Sequence, residues 1–146
     1  IRSKGPEIGT PESSIIKANS IAEQAQVSFR RCLAEGIPIA FGTDAGTPFN
    51  FHGKQTYEFE LMVNWGGMTP LQALTAATKT ASELMRKQDE VGSIEAGKYA
   101  DVVAFDEDPR EDIRAVQSCA FVMKGGEVYK SRGQAMTTGS VARSRA

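Results

Sequence analysis

The chain has 146 residues, with 17 basic against 18 acidic side chains, one His and two Cys. A length of about 150 residues supports one domain and falls short of the roughly 250 that a complete (β/α)8 barrel takes. The formal charge of −1 leaves no footprint for nucleic acid or an anionic membrane surface. One His and two Cys cannot furnish a three- or four-ligand zinc site of the usual nitrogen and sulfur kind.

At 40% hydrophobic and 24% charged, the composition is that of an ordinary globular chain. No apolar run reaches the about 18 residues of a membrane span, and the polar N-terminus is not a signal peptide. Cys32 and Cys119 lack a metal-type spacing and read as free thiols in a reducing compartment, which makes a cytoplasmic location the default. The chain opens Ile1-Arg2-Ser3-Lys4 without Met, and reads as a fragment, a processed product or partial coverage of a gene.

In chain order, residues 1–11 carry Gly, Pro and charge without periodicity and predict a loop. Ser20-Ile21-Ala22-Glu23 fits a capping box, and predicts a helix that begins there. It would bury Ile21, Ala25, Phe29 and Cys32 or Leu33, and stop at Gly36. Ile37-Pro38-Ile39-Ala40-Phe41 predicts a short strand buried on both faces, as in a parallel α/β sheet. A loop, Gly42 to Gly53, leaves its carboxyl end. Helices are predicted over Tyr57 to Trp65 and from Thr69-Pro70-Leu71-Gln72 to about Met85, the latter with an N-cap Thr, Pro at the first helical position and Gln at the capping-box position. From Val91 the pattern turns to period two. Val91 to Ile94, Ala100 to Phe105, Ala120 to Met123 and Val128-Tyr129 predict antiparallel strands, with Gly125-Gly126 as a hairpin turn. Residues after Lys130 read as a disordered tail.

Few residues carry chemistry. Asp44 stands at the carboxyl end of a predicted buried strand, where parallel α/β folds build their sites. In isolation, Asp in a Gly-Thr-Asp-Ala-Gly loop is more often a turn or cap residue bonding its own backbone. His52, the single imidazole, and Asn50 lie in the same loop and read otherwise as polar surface residues. Glu58 and Glu60 read as a solvated helix face, Asp106-Glu107-Asp108-Pro109 as an acidic turn, and Lys98 and Lys124 as solvated residues beside turns.

The order of motifs is more specific than any residue. A helix, then Gly36-Ile37-Pro38-Ile39-Ala40-Phe41-Gly42-Thr43-Asp44-Ala45-Gly46, then Met68-Thr69-Pro70-Leu71-Gln72-Ala73-Leu74-Thr75-Ala76-Ala77-Thr78, then Gly92-Ser93-Ile94-Glu95-Ala96-Gly97-Lys98-Tyr99-Ala100-Asp101-Val102-Val103 resembles the C-terminal part of the metal-dependent amidohydrolase superfamily. The resemblance is to its prolidase-like (Xaa-Pro dipeptidase) and imidazolonepropionase-related branch, over roughly residues 20 to 130.

The resemblance implies an α/β fold: the C-terminal portion of a (β/α)8 metal-dependent hydrolase barrel plus strands of a small β-sandwich, with the barrel incomplete in this chain. It divides the chain into a loop or frayed terminus (1–19), the last strand and helices of the barrel (20–90), C-terminal sandwich strands (91–130) and a disordered tail (131–146). Asp44 would match the aspartate after the last barrel strand, as metal ligand and proton shuttle. Asn50 and His52 would be substrate contacts at the mouth. The implied cofactor is a divalent metal, zinc by the family's habit, one or two ions bound mostly by residues absent from this chain. The implied activity is hydrolysis of an amide or peptide bond, as in an Xaa-Pro dipeptidase, by metal-activated water.

The isolated chain is expected to be inactive and to fold poorly without a partner, since a strand of an all-parallel barrel needs neighbours. Expected partners are a small peptide or amide substrate and either a second copy or an upstream barrel segment, with no nucleic acid and no membrane. Two other readings stand beside this one: a deaminase or cyclic-amide hydrolase of the same superfamily, and a non-catalytic fragment that self-associates through unpaired strands.

Overall fold

The computed structural model describes residues 11–46, 50–132 and 134–135. Residues 1–10 of the terminus predicted as a loop, Thr47 to Phe49 of the loop after the predicted strand, and most of the predicted tail lie outside them.

Helix α1 spans Glu12–Ala34, so it begins eight residues before Ser20. The capping box expected at Ser20 is therefore not a helix start. Its hydroxyl instead donates to the carbonyl of Lys17 within the helix, which satisfies it without ending anything. The C-terminal stop is as expected: Gly36 has φ +70, and the amide of Ile37 bonds the carbonyl of Cys32.

The segment 37–44 that follows is extended but has no strand partner among the described residues. The predicted strand therefore exists as a conformation and not as part of a sheet. Ile39 and Phe41 are half-buried against the core, whereas Ile37 is 53% exposed. A backbone bond from the amide of Phe41 to the carbonyl of Ala76, at 3.0 Å, ties the middle of the segment to the helices. The Phe41 ring also lies on Phe59, with centroids 4.5 Å apart.

Helix α2 (Tyr57–Glu60) continues as a wide π-helical turn, Leu61–Trp65. Helix α3 (Pro70–Thr75) runs through a second π-helical turn, Ala76–Thr80, into α4 (Ala81–Leu84). Both match the predicted helical stretches. The capping box at Thr69 is present in full: its hydroxyl accepts from the amide of Gln72, and the Gln72 side chain accepts from the amide of Thr69. Helix α1 docks on the end of the first π-turn. Gln26 and Arg30 donate to the carbonyl of Trp65, and Phe29 lies close over Gly66.

Among the described residues four antiparallel strands follow as a meander in the order β1 (Val102–Phe105), β2 (Cys119–Lys124), β3 (Glu127–Ser131) and β4 (Gln134–Ala135). The predicted strand over Val91 to Ile94 is a bend: Gly92 (φ +95) comes against Ser82, so close that no side chain fits between them. The hairpin forms where expected, with Lys124 paired to Glu127 and positive φ at both Gly125 and Gly126, as a type I′ turn requires. Ser131 belongs to β3, and Gln134 and Ala135 pair with it and Lys130. At these positions order replaces the expected disordered tail.

The buried core is small. Met62, Met68, Ala73 and Ala76 of the helical part meet Ile113 and Val116 of a 3-10 helix (Ile113–Gln117) inserted between β1 and β2. The helices and the β meander therefore share one core, which holds segment 37–44 from one side.

Candidate functional site

Asp44 ends the extended segment in a left-handed conformation, φ +49, which Asp tolerates better than most residues with a side chain. Its carboxylate stands on an exposed residue. The chain then turns through Gly46 (φ +104), whose amide bonds the carbonyl of Asn50 at 2.8 Å. The Asn50 side chain closes the same loop by donating from Nδ2 to the carbonyl of Thr43. His52 is exposed, with Nε2 only 3.1 Å from the place a Cβ on Gly46 would take.

Asp44, Asn50 and His52 are thus brought to one loop, but they differ in what they face. Beside the loop lies a cavity of about 240 Å³ lined by Thr43, Asn50, Lys54, Gln55, Tyr57, Glu58 and Leu61. Asn50 reaches its wall with its amide nitrogen already engaged in holding the loop. His52 packs over Gly46 and does not line the cavity.

Two carboxylates depart from the expected solvated helix face. Glu60 is half-buried and accepts a hydrogen bond from Gln117, tying α2 to the 3-10 helix. Glu58 is half-buried in the cavity wall, and burial pushes its carboxyl above the usual carboxylate range. An acidic residue in the first turn of a helix has an ordinary explanation in the helix dipole, so no sequence signal separated Glu58 from its neighbours. Lys98 also departs from expectation: its side chain is 15% exposed, between Ser93 and Glu95. The acidic turn behaves as predicted, with Asp108 paired to Arg110 at 2.6 Å. Cys32 and Cys119 are free thiols.

Among the described residues no group of three or more His, Cys, Asp and Glu side chains could hold a metal ion. Asp44 alone does not make a ligand set, so the described residues do not by themselves fit a zinc site.

Residues 1–130 match the amidohydrolase family. The chain belongs to that family. It is 33% identical over 129 residues to the ochratoxinase of Aspergillus niger, covering 86% of this chain and 26% of that protein. It is 41% identical over 81 residues to the imidazolonepropionase of Brevibacillus brevis, covering 53% of this chain and 18% of the relative. Among solved structures, an Xaa-Pro dipeptidase with methionine bound in its active site is 40% identical and superposes with a TM-score of 0.76, over 83% of this chain and 29% of that one. A prolidase complexed with N-methylphosphonate-L-proline is 28% identical with a TM-score of 0.73, over 89% and 32%. The chain therefore spans about a quarter of the length of the ochratoxinase. These relatives are hydrolases of the amidohydrolase family, and the prolidase-like resemblance of the motifs is shown. Among the described residues no helix is long and apolar enough to cross a membrane.

Proposed function

We propose that this amidohydrolase-family chain is part of a hydrolase of small amide or peptide substrates, of the Xaa-Pro dipeptidase type, with Asp44 as its proton-handling carboxylate. The observation that carries this reading is the placement of Asp44. It ends a segment anchored by Phe41 and follows Thr43, which lines the cavity, within a chain 40% identical to an Xaa-Pro dipeptidase.

A carboxylate held there can accept a proton from an attacking water and return it to the departing amine. Such positioned transfer contributes about 10²–10⁴ in rate. The loop bonds at Asn50 keep the carboxylate-bearing turn in one conformation, so proton transfer needs no reorganisation of the backbone. A divalent metal, where bound, would lower the pKa of the water; Asp44 would be one of its ligands and the others would come from outside this chain. The partners of this reading are a small peptide or amide substrate and the remaining barrel segment, or a second copy, to cover segment 37–44. Hydrolysis of Xaa-Pro dipeptides by this chain joined to the barrel segment that supplies the remaining ligands, and its loss in Asp44→Asn, is the test.

A further inference from the structure

The cavity beside Asp44 contains a charge that nothing so far explains. Its wall is Thr43, Asn50, Gln55, Tyr57 and Leu61, with Lys54 exposed in the wall and Glu58 half-buried. The Glu58 carboxylate has no ion-pair or hydrogen-bond partner among the described residues, and Lys54 forms no ion pair with it. A carboxylate that loses water without gaining a partner is unfavourable unless something else supplies the donors. Burial alone acts on this carboxyl, consistent with that imbalance.

We propose that Glu58 is a substrate-binding residue, whose carboxylate accepts the primary ammonium group of an amino-acyl ligand in this cavity. A cation gains most from such a carboxylate, through charge-assisted hydrogen bonds. A volume of about 240 Å³ admits a group of amino-acid size and is below the usual range for drug-sized ligands. The proposal rests on the reading of this loop as the mouth of a hydrolase site and adds the chemical class that the site selects.

Binding tests it without turnover. The full chain is titrated with L-alaninol, which carries a primary ammonium and no amide bond, and with (S)-1,2-propanediol, in which a hydroxyl replaces the ammonium. The expected result is at least tenfold tighter binding of L-alaninol, a preference that Glu58→Gln abolishes and Glu58→Asp retains in part, with the circular dichroism of all three proteins alike. Equal affinity for the two probes, no binding of L-alaninol, or a preference that survives Glu58→Gln overturns the assignment. Should Glu58→Gln fail to fold, the unmodified protein still decides by its preference between the two probes, and by the decline of that preference as Glu58 is protonated on acidification. Activity retained in Asp44→Asn would instead overturn the hydrolytic reading and leave these binding results interpretable.

Discussion

His52 Nε2 lies 3.1 Å from the position that a Cβ on Gly46 would occupy. The imidazole therefore closes over a backbone that only glycine can present, at φ +104.

Gly46→Ala should accordingly disturb the loop twice, by left-handed strain and by displacing His52. The strain alone costs about 1–2 kcal/mol. The expected outcome is a lowered melting temperature; a variant with unchanged stability would show that the contact is not retained in solution.

Asp44→Asn should leave the fold intact, because Asn shares the tolerance of Asp for φ +49. The amide accepts no proton at neutral pH. Turnover by this chain joined to the remaining barrel segment should fall by about 10²–10⁴, with the fold retained by circular dichroism. A near-normal rate would sink the catalytic role.

Thr69→Ala removes one half of the capping box and leaves the Gln72 amide without its hydroxyl acceptor. The expected destabilisation is about 1 kcal/mol, read as a shift of the denaturant midpoint. Thr69→Ser should recover most of it.

Asp112 caps the 3-10 helix and is gripped by Arg114 at 2.6 Å, which holds its carboxyl down at about 2; Arg110 does the same for Asp108. Both values lie below the ordinary 3.8, so these carboxylates favour the folded state above about pH 4 and lose that contribution as pH falls through about 2. Glu58 has the opposite sign: its carboxyl is raised by burial, so its contribution is present below its unfolded value and lost as pH rises through the raised one. Carboxyl-carbon NMR titration should place Asp112 at about 2, and Arg114→Ala should return it toward the ordinary range. A midpoint near the ordinary value in the unmodified protein would contradict the ion pair.

Asp101 accepts from the amide of Gly125 at 2.7 Å and so fastens the hairpin turn to the start of β1. Asp101→Ala should weaken the meander by about 1 kcal/mol. Amide exchange at Val128 and Tyr129 should speed up while exchange in α3 stays unchanged.

Local chemistry made several of these features legible in the sequence alone. The Thr69 box and the Gly125-Gly126 turn are complete within four residues, so their geometry depends on nothing distant. The position of Asp44 at the end of an extended segment was legible from the apolar run before it. Ser20 misled because a capping signal competes with the helix upstream of it, and Glu12–Ala34 runs straight through. Tertiary structure alone decided the rest. Ile37 to Phe41 has a strand's composition but no strand partner among the described residues, because a β ladder needs a second chain segment that composition cannot supply. Glu58 and Glu60 became half-buried because the loop after segment 37–44 and, from far along the chain, the 3-10 helix pack onto α2. A charge pattern along one helix holds no information about which neighbours will remove its water.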